Sequence, residues 1–364
     1  MAFDPYLYRV ALKQIFFRFS KQLKVIMNKI VYIGFAFHHH KGTHAGYHQI
    51  KEYLSYDYEI DIQDFIDRCS VNPKSFISKI KRKIMRLAFG FPVFPWFILK
   101  CMWMAIAKGH LTFHFIYGEN SLVAFPLRHI RNCKVVVTLH QPHEWFLQND
   151  GWKDKLMKID SIILVSKTEV EDFKKITHEN NVFFFPHGIC ADFYRPNGEN
   201  HDKKLVLMVG NWLRDFVFAS KVFTKLENFD SGIRAVVVTN QNNAKYFKEN
   251  KNVEVLSGIT DEALRELYRK TSCLFLPLKR YTANNALLEA GAVGDNILIA
   301  SNNADNSYIP NEFLSICPLD IDTAFEEIKT MLGKDGNIRL SKFVHDNYSW
   351  NIVADNIKRY IEDM

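Results

Sequence analysis

The chain has 364 residues, of which 48% are hydrophobic and 24% are charged, and this length allows two domains with a core each. Its net charge of +7 favours anionic partners such as phosphates, nucleic acid or an acidic membrane surface, without choosing among them. The six cysteines form no CxxC pair, and the first residues lack the order of a signal peptide. This pattern argues against a secreted, disulfide-linked protein and predicts a cytosolic one with thiols in its core.

Residues 6–26 have the pattern of a basic amphipathic helix, with apolar and basic side chains on separate arcs. The apolar arc carries Tyr8, Leu12, Ile15, Phe16, Phe19, Leu23 and Ile26, and the basic arc carries Arg9, Lys13, Lys21 and Lys24. A second basic and aromatic segment covers 79–108. Either segment could lie at an anionic lipid interface or pack within the first domain. Neither should cross a membrane, because the best apolar run, 87–99, has 13 residues and a span needs about 20.

The first half of the chain alternates predicted strands and helices. The apolar run 29–37 is typical of a buried parallel strand. It leads through a glycine loop into a helical pattern at 50–54, which is how a Rossmann-like domain begins. Further strands are predicted at 112–116, 133–139, 161–165 and 182–185. The polar residues 197–200 then have the composition of an interdomain linker.

The alternation restarts after the linker. Strands are predicted at 205–209, 235–239, 253–256, 273–276 and 297–300. A helix at 260–270 fits between two of them, with Thr260 as its cap and a buried stripe of Ala263, Leu264, Leu267 and Tyr268. The fold class is therefore α/β, with two doubly wound domains facing a central cleft.

Five segments, 184–196, 206–212, 253–277, 284–301 and 348–362, resemble in order and spacing a large family of retaining glycosyltransferases. The members of this family have the two-domain GT-B fold and resemble glycosyltransferase family 4. They include sucrose-phosphate and many bacterial polysaccharide glycosyltransferases. The resemblance covers 180–360 well and 28–180 loosely. It implies an acceptor-side domain at 1–198, a nucleotide-binding domain at 199–345, and a last helix at 346–364 that crosses back to the first domain.

The resemblance implies a donor site on the second domain. Glu289 matches the second glutamate of the family's paired-glutamate motif and would accept hydrogen bonds from the ribose hydroxyls. Tyr281 stands where the first glutamate, beside the donor sugar, is expected. Lys279 and Arg280 either supply positive charge there or are two basic residues on a surface loop.

Backbone groups would complete the donor site. Asn284, Asn285 and Ala286 begin a helix predicted at 284–292, and the N-terminus of a helix suits a pyrophosphate. Gly258 and Ile259 follow a strand end at which members of the family hold the base through the main chain.

Two side chains are candidates for catalysis by resemblance. Arg214 is similar to the residue that neutralises charge on the leaving diphosphate. Alternatively, Arg214 only pairs with an acid such as Asp215, and Lys221 is a second candidate. His140 ends a predicted strand where the family places a histidine that faces the donor sugar. His140 could equally be a structural strand-end histidine, and the neighbouring His143 and Glu144 compete for its role.

The loop 38–48 has two interpretations. Its glycines, Gly42 and Gly46, suit a loop that closes over donor or acceptor. His44 and His48 are four residues apart and could hold a metal on a helix, but no carboxylate or cysteine cluster joins them. The resemblance implies transfer without a metal, so we expect no cofactor.

The sequence is thus interpreted as a retaining glycosyltransferase with a nucleotide-sugar donor and a glycan or lipid-linked acceptor. It is expected to be cytoplasmic, or peripheral on the inner face of a membrane, and to have no nucleic-acid partner. The expected role is synthesis of surface polysaccharide or glycoconjugate. Two alternatives remain: a GT-B-fold nucleotide-sugar epimerase, and a non-catalytic homologue that binds sugar nucleotide or glycan as a scaffold. A dinucleotide dehydrogenase is disfavoured because no GxGxxG follows a predicted strand.

Overall fold

The computed structural model describes residues 28–122, 127–149, 151–177, 181–198, 201–279, 283–302 and 308–364. The amphipathic helix predicted at 6–26 lies outside the described residues, as do Arg280 and Tyr281. None of the described helices is long and apolar enough to cross a membrane.

The first domain is built on a six-stranded parallel sheet. Its strands are β1 (Lys29–Gly34), β2 (Tyr58–Asp61), β3 (Leu111–Phe115), β4 (Lys134–Leu139), β5 (Ser161–Leu164) and β6 (Val182–Phe184). Their order across the sheet is β2-β1-β3-β4-β5-β6, so the winding reverses between β1 and β3. The strand predicted at 29–37 is shorter than expected, because β1 ends at Gly34 and the glycine loop begins soon after it.

Helices cover both faces of this sheet. They are α1 (Ile50–Tyr53), α2 (Gln63–Ser70), α3 (Phe76–Phe89), α4 (Trp96–Lys108), α5 (Gly118–Ser121), α6 (His143–Gln148), α7 (Trp152–Leu156) and α8 (Val170–Thr177). The strands supply the centre of one hydrophobic core, and its largest fully buried side chains include Tyr47, Phe113, Phe115 and Phe146.

The second domain repeats this plan. Its strands are β7 (Asp202–Val209), β8 (Arg234–Val238), β9 (Val253–Leu256), β10 (Thr271–Pro277), β11 (Ile297–Ala300) and β12 (Ser315–Cys317). The order β12-β11-β10-β7-β8-β9 is all parallel and reverses between β7 and β10. Two hydrophobic clusters, one on each face, bury this sheet, and the two parallel sheets together confirm the predicted doubly wound fold.

The helices of the second half are α9 (Phe216–Phe229), α10 (Asp261–Lys270), α11 (Asn285–Val293), α12 (Ile321–Met331), α13 (Ile338–Tyr348) and α14 (Trp350–Asp363). Thr260 caps α10 as predicted, since its hydroxyl accepts from the Ala263 amide at 3.2 Å. The predicted stripe of α10 is wrong at Ala263, which is exposed, whereas Tyr268 is fully buried.

The last helix packs against the first sheet. Trp350, Val353, Ala354 and Ile357 of α14 are buried in the core of the first domain. Two main-chain hydrogen bonds to Ile189 hold the start of α14. The Ile189 amide donates to the Tyr348 carbonyl, and the Trp350 amide donates to the Ile189 carbonyl. Gly188 lies so close to Trp350 that a Cβ there would be 2.3 Å from the indole.

Candidate active site

The C-terminal ends of β7 and β10 form the crevice at which ligands bind in doubly wound sheets. Two loop segments are paired there, because Arg214 bridges to Leu278 and the Lys279 amide donates to the Leu213 carbonyl. Gly210 begins the loop after β7 with a φ of 117°, and a Cβ at this position would lie 2.6 Å from the Arg214 guanidinium. A glycine is therefore required both for the turn and for the seat of Arg214.

The Arg214 guanidinium is fixed by three acceptors. Its Nε donates to the Val209 carbonyl at 3.0 Å, and its two terminal nitrogens donate to the Trp212 carbonyl at 3.2 Å and to Asn284 Oδ1 at 3.1 Å. Burial lowers the pKa of Arg214 to about 10, which leaves it a cation at neutral pH. No carboxylate is among these partners, and Arg214 makes no ion pair within the described part of the chain, so its charge is available to a ligand in the crevice.

Asn284 connects this cation to a helix N-terminus. It precedes α11, is 5% exposed, and its Nδ2 has no hydrogen-bond partner among the described residues. The first amides of α11, at Asn285 and Ala286, have no acceptor within the helix. A buried amide donor, free helix amides and an arginine thus converge at the end of β10, which is a suitable environment for a pyrophosphate.

Glu289 lies one turn further along α11 and is 3% exposed. Its Oε2 accepts a hydrogen bond from the Tyr268 hydroxyl at 2.8 Å. Burial raises the pKa of Glu289 to about 7, and the nearby Asp261 adds to this shift. Sequence reasoning placed Tyr268 only in a hydrophobic stripe, because its hydroxyl gives no periodic signal.

The other predicted donor residues lie at the same edge of the sheet. Gly258, with a φ of 68°, and Ile259 follow β9, and the exposed Lys279 follows β10. Lys221 is exposed in the second turn of α9, whereas Arg214 is partly buried before that helix begins, so the two candidates for one role are not equivalent in position.

In the first domain, His140 follows β4 and lies at the corresponding C-terminal edge. Its Nδ1 is 3.4 Å from Glu119 Oε1, on the short helix after β3. The rings of Tyr47 and Tyr117 contact the imidazole with centroid distances of 4.9 and 4.7 Å. The carboxylate and the two rings hold His140 in a partly buried pocket, and sequence reasoning missed Glu119.

His143 and Glu144, the proposed competitors of His140, are on the first turn of α6. The His143 amide and its Nδ1 both contact Glu169 Oε2 at 2.8 Å. Within the described ranges, His143, Glu144 and Glu169 are the group of ionisable side chains that comes close enough to suit a metal. His44 and His48 do not belong to it and do not share a helix, so the structure contradicts the helical metal pair considered for them.

The glycine loop joins the two domains across the cleft. The His44 amide donates to Asp261 Oδ2 at the start of α10, and His44 Nδ1 is 2.9 Å from the same oxygen. The imidazole stacks on Phe193 at 3.7 Å. Gly42 and Gly46 both have positive φ, of 74° and 94°, so the loop reaches Asp261 through turns that favour glycine.

The architecture of this chain is similar to that of several solved structures. Sucrose-phosphate synthase from Thermosynechococcus elongatus superposes with a TM-score of 0.67 at 14% identity, covering 92% of this chain and 98% of that one. The lipopolysaccharide outer core galactosyltransferase WaaB gives 0.60 at 12% identity over 92% and 99%. HepE of Anabaena, solved with UDP and glucose, gives 0.59 at 12% identity over 93% and 100%.

This chain has the GT-B fold. The superpositions cover 98–100% of each of these three glycosyltransferase chains. No protein-family model matches the sequence, and no curated protein sequence matches it. The likeness is therefore carried by the GT-B architecture and not by close sequence similarity.

Proposed function

We propose that this GT-B protein is a retaining glycosyltransferase that takes a sugar from a nucleotide-sugar donor. The observation that carries the proposal is the convergence of Arg214, the buried Asn284 amide and the N-terminus of α11 at the point where the second sheet reverses. A diphosphate is the donor group that this set of cation and N–H donors complements. The HepE structure with UDP and glucose supports the same ligand class.

In this proposal the nucleotide lies on the second domain. Glu289, oriented by the Tyr268 hydroxyl, accepts from the ribose hydroxyls, and Gly258 and Ile259 offer main-chain groups to the base. Lys279, at the end of β10, adds positive charge near the phosphates. By its place in the motif, Tyr281 would belong to the loop that faces the donor sugar.

The transfer step would proceed by front-side attack. The acceptor oxygen forms its bond to the anomeric carbon on the face from which the diphosphate leaves, and the departing phosphate oxygen takes the acceptor's proton. Arg214 and the α11 N-terminus stabilise the charge that grows on the diphosphate, which removes the need for a metal ion. His140, held by Glu119, would hydrogen-bond the donor sugar beside the acceptor.

The acceptor is proposed to be a glycan or a lipid-linked glycan, bound mainly on the first domain. Surface polysaccharide or glycoconjugate synthesis is the corresponding role, at the cytoplasmic face of a membrane. The outer core galactosyltransferase WaaB, which shares the fold, is named for a reaction in such a pathway.

A panel of nucleotides tests the proposal. Thermal unfolding is measured with UDP, GDP, ADP and CMP, and each nucleotide that stabilises the protein is followed by its sugar conjugates with detection of released nucleotide. A hundredfold excess over Kd should stabilise the fold by about 2.7 kcal/mol. Stabilisation by none of the four contradicts the proposal. Stabilisation without any nucleotide release, with and without added acceptors, favours the scaffold alternative.

A further inference from the structure

Helix α3 turns its apolar stripe away from its own domain. At 100° per residue, Phe76, Ile77, Ile80, Ile84 and Leu87 share one arc. All five are exposed, Ile77 by 78% and Leu87 by 81%. The half-buried side chains lie on the opposite side of the helix, and none of the described side chains of α3 is buried. A surface helix of a globular domain normally presents its apolar stripe to the core, so this stripe is available to something else.

The next helix, α4, has a second exposed apolar stripe. One of its faces is in the core through Phe97, Cys101 and Met104. The other face carries Trp96, Leu99, Trp103 and Ile106, which recur at helical spacing and are all exposed, each tryptophan by 65%. Two tryptophans on one exposed helical stripe are unusual for a free surface, because scattered single apolar residues are the norm.

The chain segment that carries these stripes has charged side chains of a single sign. Residues 68–118 contain nine lysines and arginines and no aspartate or glutamate, so this stretch alone carries more positive charge than the net +7 of the chain. On α3, Lys79, Lys83 and Arg86 line one edge of the apolar stripe and Lys81 lies beyond the other. All four are exposed. The helix is thus cationic at its edges and apolar at its centre.

We infer that α3 and the outer stripe of α4, here called the docking surface, bind an anionic lipid bilayer. Apolar side chains enter the boundary of the acyl region, tryptophans lie at the headgroup level, and the flanking cations contact anionic headgroups. The core of a protein interface is depleted of lysine, which makes this lysine-rich helix a better match to lipid than to a protein partner.

The inference deepens the proposed function and rests on it for a reason to bind lipid: docking would bring the acceptor site of the first domain to a lipid-linked glycan. The two helices of the docking surface lie in the chain between β2 and β3, which are both strands of the first sheet. Each cation near an anionic leaflet raises the partition coefficient by about fivefold. Attraction between exposed charges is screened within about 10 Å at 0.1 M salt, so docking should be reversible and salt-sensitive.

Co-sedimentation of the full chain with vesicles tests the inference. We expect binding to phosphatidylcholine vesicles that contain phosphatidylglycerol, strong at low ionic strength and weak at high, and little binding to phosphatidylcholine alone. Lys79→Gln with Lys83→Gln should lower the partition coefficient about 25-fold, from two cations at about fivefold each. Ile77→Ser with Leu87→Ser should also lower it by at least tenfold, because most of both side chains is exposed for insertion.

Matched controls lie on the second domain. Lys248→Gln with Lys251→Gln makes the same change in net charge, and Ile338→Ser removes an apolar side chain of similar exposure. Neither control should change vesicle binding. A second readout is quenching of tryptophan emission by lipids with brominated chains, which Trp96→Phe with Trp103→Phe should reduce.

Three results would overturn the inference. One is a wild type that ignores anionic vesicles at low ionic strength. Another is vesicle binding that both double variants of α3 retain but that a triple variant with glutamate at Lys13, Lys21 and Lys24 loses. Residues 6–26, and not the docking surface, would then contact the lipid. The third is self-association that Ile77→Ser with Leu87→Ser abolishes, without vesicle binding. Nucleotide-dependent thermal stabilisation, measured on the same samples, reports separately on the proposed function.

Discussion

At the scale of single residues, the candidate site depends on buried polar groups that the fold holds in place for a ligand. Arg214 uses neutral acceptors and keeps its charge, Asn284 uses its oxygen and not its nitrogen, and the Glu289 carboxylate is held by the Tyr268 hydroxyl. Such partly satisfied buried groups cost folding free energy and are expected where a ligand completes them.

Arg214→Met should lower kcat by about 10²–10³-fold and change donor Kd much less, because charge on the diphosphate is greatest in the transition state. Steady-state kinetics with the donor found in the nucleotide panel, together with calorimetry, checks this. Lys221→Met on α9 is the matched control and should retain activity. A loss of donor affinity with kcat unchanged would instead indicate that Arg214 binds the diphosphate equally in the ground state and the transition state.

Glu289→Gln should remove a pH dependence of stability. The pKa of Glu289 is raised to about 7 in the folded chain. The contribution of the protonated carboxyl to the unfolding free energy is therefore fully present below the ordinary carboxyl pKa and is lost as the pH rises through about 7. The wild type should therefore lose up to about 3 kcal/mol of unfolding free energy between pH 5 and 8 that the glutamine variant does not lose. Urea unfolding of both proteins across this range measures the difference, and parallel profiles would contradict the assignment.

At the scale of elements, parallel strands put functional residues at one edge by construction. The strands of each sheet are parallel, so the loops after β7, β9 and β10 bring Arg214, Gly258 and Lys279 to one edge of the second sheet, and the loop after β4 brings His140 to the corresponding edge of the first. The junction of α13 and α14 is equally constrained, because Gly188 and Trp350 are in direct contact there.

Gly188→Ala should destabilise the fold by about 1–3 kcal/mol, since a Cβ would overlap the buried Trp350 indole at 2.3 Å. Gly232→Ala is the matched control: its Cβ would meet the flexible end of Lys204 at 3.0 Å and the Asp230 carboxylate at 3.1 Å, which are side-chain ends at the surface rather than a buried ring. Unfolding free energies in urea compare the two variants. A loss in Gly232→Ala as large as that in Gly188→Ala would attribute the effect to glycine replacement in general.

At the scale of the whole molecule, the cleft is spanned by the contact of His44 with Asp261. This contact joins the glycine loop of the first domain to α10, next to the helix that carries Glu289. Asp261 also lies close enough to Glu289 to raise its pKa. Closure of the loop and the electrostatics of the nucleotide site are therefore linked through one carboxylate.

Asp261→Ala should release the glycine loop. Loss of the hydrogen bonds to His44 should speed proteolytic cleavage within 38–48 by about tenfold, because local opening is limited by those bonds. Limited proteolysis followed by mass spectrometry locates the cuts. Glu262→Ala, at the next position of α10, is the control, and it should leave the rate unchanged; an equal effect would point to destabilisation of α10 itself.

The sequence by itself determined most of the architecture. Strands buried on both faces need continuous apolar runs, and those runs are visible in the residues of β1, β3, β4, β7 and β10 without any partner. Helix starts such as Thr260 are equally local. The edge strands β2 and β12 were missed, because four and three residues at the rim of a sheet carry too little pattern.

Only the tertiary structure decided the contacts within the site and the direction of the exposed stripes. Arg214 and Asn284 are 70 residues apart, and His44 and Asp261 are 217 apart. Periodicity marks a side of a helix but not what that side faces: the stripe of α10 meets a core, whereas that of α3 faces outward. Such pairings are set by the packing of whole elements, which no local window of residues contains.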